Sequence, residues 1–139
     1  YSAYKAEDAK TAMEWMRLVL ENRLANNPGR FGAKDAKDVI AIIRAKNQFE
    51  GFEAYPTIGS QQSDLIDQIV SMANDGSKTA QPLYAEFLQN AISVAEAKTA
   101  VQDPCPTKLF GWRTHGASSP GTGFSLFKTL AGNDFYTLK

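Results

Sequence analysis

The glutamates pose the first chemical question in this chain of 139 residues. Glu7 precedes an apolar, helix-periodic run, and Glu14 and Glu21 lie within it. Glu50 and Glu53 sit among the aromatics Phe49, Phe52 and Tyr55. A carboxyl serves as a general acid when burial against apolar or aromatic groups raises its pKa. Glu14 and Glu21 fall on the polar face of their helix. Glu7 has Tyr1 and Tyr4 close by and is placed to pack on the aromatic segment. Its local sequence also fits an ordinary first-turn acid, which the helix N-terminus favours.

Other chemistries find less support. Cys105 and His115 are the only residues of their kinds. A thiolate nucleophile needs an adjacent base and an electropositive or helix-N-terminal setting. Cys105 instead lies between two prolines in a loop, and a separation of ten residues implies no pairing. One Cys and one His, without carboxylates at ligand spacing, do not make a structural zinc site. The segment from Gly116 to Gly123 lacks the lysine and the strand-to-helix setting of a phosphate-binding loop. No metal and no cofactor is expected.

Bulk properties bound the class. The length suits one domain spanning 1–139, large enough to build a core without staples. The apolar share is 43% and the charged share 22%, as in ordinary globular chains. Fifteen basic residues balance fifteen acidic ones, which argues against a general nucleic-acid binder. A lone cysteine precludes an internal disulfide. No apolar run nears the roughly 20 residues of a membrane span. The chain begins at Tyr1, which reads as an excised domain or a processed product with any targeting segment upstream.

The elements that must position these groups are mostly helical. Ala12, Met13, Met16, Val19, Leu20 and Leu24 recur at helical spacing, predicting a helix from about 8 to 25 that Asn26-Asn27-Pro28-Gly29 ends. A second helix is predicted from about 34 to 45 on Ala36, Val39, Ile40 and Ile43. Residues 47–58 read as an irregular aromatic loop. A third helix, capped by Ser60, runs to Asn74, before the stop signal Asp75-Gly76. A fourth starts near Pro82 and runs to about Lys98. Between Pro104 and Gly123, three prolines and four glycines predict a long irregular connection. A short element follows at 124–130. The fold class expected is mainly α.

The order of several short motifs resembles the cell-wall hydrolase family that includes the spore-cortex-lytic enzymes. The stretches are Ala6-Glu7-Asp8, Leu18-Val19-Leu20-Glu21-Asn22-Arg23-Leu24, Asn27-Pro28-Gly29-Arg30-Phe31-Gly32, Asp38-Val39-Ile40, Asn47-Gln48-Phe49 and Gly132-Asn133-Asp134-Phe135-Tyr136. They cover most of the chain in order. The chain departs from the pattern in a shorter Glu7–Asn22 spacing, in lacking a Gly-rich stretch after the glutamate, and in holding Asp134 where a His often stands.

The resemblance implies a single-domain, lysozyme-like or lytic-transglycosylase-like helical fold with a groove for peptidoglycan glycan strands. Glu7 would protonate the glycosidic oxygen between N-acetylmuramic acid and N-acetylglucosamine. Gln48, Phe49, Glu50, Tyr55 and Tyr136 would contact substrate, and Asn22 and Arg23 would brace the site. Without a clear second catalytic carboxylate, the transglycosylase route with a 1,6-anhydro product is preferred over the muramidase route, which Glu50 keeps open. Such a domain would act in the cell wall or periplasm or be secreted. It would be a wall remodeller, a phage module or an antibacterial effector, the last with an inhibitor or immunity protein. The rival expectation is a non-enzymatic helical binding or adaptor domain.

Overall fold

The computed structural model describes residues 5–139. Tyr1 and Tyr4, expected beside Glu7, lie outside them. Helix α1 spans Ala6–Ala25, α2 Val39–Ile43, α3 Ser60–Asn74 and α4 Gln81–Glu96, with a short 3-10 turn at Pro28–Phe31. Three strands follow: β1 Gly111–Thr114, β2 Phe124–Leu130 and β3 Asn133–Leu138. The residues group into two compact units, one of the segment up to Asn22 with Gln89–Lys139, the other of Arg23–Leu88.

The expectation of a mainly α, lysozyme-like fold with an irregular C-terminal segment is overturned. Helices take 44% and a three-stranded antiparallel sheet 13%, which makes this a small mixed α/β fold. The sheet order is β1-β3-β2, with Gly111 opposite Tyr136 on one side of β3 and Leu130 opposite Asn133 on the other. A register shift between Leu126 and Lys128 explains why β2 escaped a strand reading. A bulge inserts an extra residue and breaks the two-residue alternation. The half-buried residues of β2 are therefore Phe124, Phe127 and Leu130, spaced three apart as on a helix. The β2–β3 turn is Ala131-Gly132, with φ of 47° and 76°. Positive φ at both central residues is the requirement of a tight type I′ hairpin turn.

The core of the first unit joins Ala12, Trp15, Leu18 and Val19 of α1 to Cys105, Leu109 and Phe135. Phe135 is fully buried and meets Trp15 edge to face at 5.1 Å. Met16, Trp112, Phe127, Leu130 and Ala131 pack around this cluster. Arg17 donates to the backbone oxygens of Val94 and Ala97 at 2.7 Å each. The Val94 carbonyl belongs to the last turn of α4 and Ala97 directly follows the helix, where helix oxygens lack internal partners and a cation is favoured.

In the second unit, Phe31, Ile42, Ala45 and Ala73 are buried. Helix α2 is far shorter than the 34–45 predicted. Asp38 is extended (φ −150°, ψ 169°), and its carboxylate accepts from the Ala41 N–H at 2.9 Å, so the helix can start only after it. Four of its five residues, Val-Ile-Ala-Ile-Ile, are β-branched and propagate a helix poorly. Asn47, at φ 63°, lies beyond its end. Helix α3 begins where predicted, but its N-cap is Gly59 and no side chain caps it. Among the described residues no helix is long and apolar enough to cross a membrane.

Candidate functional site

The clearest polar–aromatic assembly in the second unit is built on Arg23. Arg23 as a residue is only 6% exposed. It donates from Nη1 to Gln48 Oε1 at 3.1 Å and lies over the rings of Phe31 (4.4 Å) and Phe49 (5.7 Å). A buried cation needs such company, because water no longer solvates it. The last turn of α1 supplies Arg23, the 3-10 turn supplies Phe31, and the turns after α2 supply Gln48 and Phe49. Arg23 takes the carbonyl oxygen of the Gln48 amide. That assigns the NH₂ group of the amide as the end left for a ligand.

Around this cluster the segment 47–58 is a chain of turns. The Gly59 N–H donates to the Gly51 carbonyl at 2.8 Å, and the Gly51 N–H donates to Glu53 Oε1 at 3.2 Å. Gly51 has φ +85° and lies against the Gln62 side chain, so a Cβ there would collide with it. Glu50 and Gln48 are exposed, and Tyr55 is at the edge of exposure, on a cis peptide bond to Pro56. Glu53 is likewise exposed, but one of its carboxylate oxygens is tied to its own turn.

In the first unit, Glu7 is exposed in the first turn of α1, and its backbone carbonyl accepts from the Thr11 hydroxyl at 3.0 Å. Asn22 donates to Asp103 Oδ2 and to the Leu109 carbonyl, each at 2.8 Å. Asp103 also accepts from the backbone N–H of Cys105 (2.9 Å) and of Leu109 (3.1 Å). Asn22 is therefore a brace between α1 and the segment leading into β1. Tyr136 is buried on β3 and stacks edge to face with Phe124 at 6.5 Å.

Of the motif frame Asn22-Arg23, Gln48-Phe49 and Phe135-Tyr136, the structure brings together Arg23, Gln48 and Phe49 in the second unit, while Asn22, Phe135 and Tyr136 belong to the first. The sequence reading missed Phe31 as the nearer ring under Arg23. It also missed Asp103, although an Asp before Pro is a turn signal that could have pointed to it. The largest omission is Asp134. This buried carboxylate accepts from the Thr129 hydroxyl at 2.5 Å and bonds His115 Nδ1 at 2.8 Å. The Thr129 hydroxyl, and then His115, hold its carboxyl below the usual value of 3.8, against the opposing effect of burial. Thr129 and Arg113 stand opposite Asp134 on the two neighbouring strands, so only the sheet pairing assembles this group. His115 itself is two-thirds exposed, and its backbone N–H donates to the Gly132 carbonyl at 2.9 Å.

Cys105 does not join His115. It is a core residue, with its Sγ 3.4 Å from the Thr107 hydroxyl. Among the described residues no group of three or more His, Cys, Asp or Glu could hold a metal ion. Compared with family models, curated proteins and solved structures, the chain gives no match.

Proposed function

We propose that this chain cleaves the glycan strand of peptidoglycan between N-acetylmuramic acid and N-acetylglucosamine, with Glu7 as general acid and base. The observation that supports the reading is the meeting of Arg23 with Gln48 and Phe49. These residues come from the Asn-Arg and Gln-Phe motifs on which the resemblance to cell-wall hydrolases rests. A hydrogen bond and a cation–π contact from the buried Arg23 hold Gln48 and Phe49 in place, as a binding wall requires. The Gln48 NH₂ suits a sugar acetamido carbonyl or hydroxyl, and Phe49 gives an apolar flank. Tyr55 and Glu50 offer further exposed contacts, while Asn22 and Arg23 brace.

In the reaction, the Glu7 carboxyl gives its proton to the glycosidic oxygen as the C–O bond breaks. The acetamido group of the muramic acid stabilises the cationic carbon. The C6 hydroxyl of the same sugar then attacks that carbon and returns its proton to the Glu7 carboxylate, which closes a 1,6-anhydro ring. One carboxyl thus serves twice. In the muramidase variant a water takes the place of the C6 hydroxyl, and Glu50 is the further acid available. The setting would be the cell wall, the periplasm or a secreted effector, where an inhibitor or immunity protein would be its natural antagonist.

A second reading, a non-enzymatic binding or adaptor domain, is favoured by one observation. Glu7 is exposed rather than walled by apolar groups. Digestion of purified sacculi, with mass spectrometry of the released muropeptides, separates the two. Anhydro-ended fragments are expected from the wild type and none from Glu7→Gln, with both proteins equally folded by circular dichroism. Sacculus binding without any release sinks the enzyme reading. Release that survives Glu7→Gln removes Glu7 from the mechanism and moves the test to Glu50.

A further inference from the structure

The first unit holds a polar assembly that the glycan reading does not use. His115 Nδ1 lies 2.8 Å from Asp134 Oδ1, and the Thr129 hydroxyl donates to the same oxygen. An ionised carboxylate only accepts, so Nδ1 carries the ring hydrogen and Nε2 keeps the free lone pair. The Asp134 side chain is 10% exposed and that of His115 67%. A buried acid thus fixes the tautomer of a ring that stands open to solvent, as a carboxylate does when it orients a general base.

Sheet pairing adds a cation. Arg113 is directly opposite Asp134 in the β1–β3 register, and directly opposite residues project from the same face. Residues 104–139 carry Lys108, Arg113, Lys128 and Lys139, all exposed, and a single acid, the buried Asp134. The zero net charge of the whole chain conceals this local excess. A surface of one sign draws ligands of the other, and a guanidinium beside a base matches a phosphate group.

One base and one cation narrow the substrate. Glycosidic cleavage starts with a proton given to the leaving oxygen, which a free lone pair does not supply. RNA asks only for a base, because the 2′-hydroxyl beside each phosphate is a nucleophile within the substrate. DNA lacks that hydroxyl. The open sheet face also suits an unpaired strand.

We infer that His115, oriented by Asp134 and flanked by Arg113, is the general base of a site that cleaves single-stranded RNA. Nε2 takes the 2′-hydroxyl proton, the 2′-oxygen bonds to phosphorus, and the bond from phosphorus to the 5′-oxygen breaks. The 5′-oxygen takes a proton from solvent, and the imidazolium returns its own. Arg113 meets the charge on the phosphate oxygens. The products are a 2′,3′-cyclic phosphate and a 5′-hydroxyl. The site shares no residue with the glycan reading, so sacculus digestion decides that one and RNA cleavage this one.

The test incubates the whole chain with a fluorophore–quencher RNA oligonucleotide, its DNA counterpart as control, and identifies products by mass spectrometry. RNA fragments ending in a cyclic phosphate are expected, with the DNA left intact. His115→Ala should slow cleavage at least about a hundredfold, and free imidazole should restore part of it, which an unfolded variant would not allow. Arg113→Gln should lower kcat/KM by about tenfold or more. Asp134 is a positioning residue: Asp134→Asn should lower kcat and leave KM unchanged, with its fold checked by circular dichroism. No cleavage by the wild type, cleavage that survives His115→Ala, or DNA cut as fast as RNA would overturn the inference.

Discussion

The two units are organised around different groups, although both leave some apolar side chains exposed, Ile92, Val101 and Leu126 in the first. In the first, α1 and the sheet close over Trp15, Leu18, Val19, Leu109 and Phe135, and the polar groups at the margin are paired off, Asn22 with Asp103 and His115 with Asp134. In the second, α3 leaves Leu65, Ile66 and Val70 in solvent, and the best-organised cluster gathers on a buried cation, Arg23. Stability should therefore be concentrated in the first unit's core. Pairing a twisted sheet with a helix gives large aromatic rings a place to interlock. A lone helix face such as that of α3 has no such closure.

The sharpest way to break this contrast is Phe135→Ala. Deleting a fully buried ring that packs against Trp15 should cost roughly 3–5 kcal/mol in urea unfolding, whereas Leu65→Ala should stay within about 0.5 kcal/mol. Equal losses at the two sites would end the comparison. Arg23→Ala comes next, at about 2–3 kcal/mol, because it strips a hydrogen bond and two ring contacts from a buried position. Arg23→Lys should recover only part of this, since a point charge does not reproduce the planar guanidinium between rings. A smaller effect, about 1–2 kcal/mol, is expected for Gly132→Val, where a β-branched residue must adopt a positive φ in the hairpin turn. A thermal melt suffices to read it.

The Asp134 carboxyl sits below its ordinary value, mainly through the Thr129 hydroxyl. A depressed folded-state pKa stabilises the protein above the unfolded value of about 3.9 and ceases to do so as pH falls through the folded one. The stability gap between wild type and Asp134→Asn should thus be constant near neutrality and shrink as pH falls past the unfolded value toward the lower folded one. A gap that changes mainly between neutral pH and the carboxylate range would assign the dependence to another group.

Helices α1, α3 and α4 were legible because their apolar residues recur at helical spacing and Pro and Gly mark their ends. Helix α2 was overestimated because its β-branched run has helical spacing without helical propensity, and because the Asp38 cap starts it late. The sheet was invisible for a different reason. The bulge at Phe127 gives β2 a three-residue burial period, and β3 buries Asp134, Phe135 and Tyr136 in succession rather than alternately. Of the candidate site, Arg23, Gln48 and Phe49 could be linked by motif order, while the exposure of Glu7 could not be read from a first-turn acid.

By itself, the sequence determined what depends on neighbours along the chain: where three helices run, where turns interrupt them, and that an acid opens the first. Tertiary structure alone decided what depends on residues far apart. It put Thr129 and His115 on Asp134, turned Asn22 into a brace for the chain around Asp103, and seated Arg23 over Phe31. It also left Leu65, Ile66 and Val70 of α3 exposed. Local propensity acts over a few residues, but burial, desolvation and ion pairing are settled only when distant segments meet, and no spacing rule records which will.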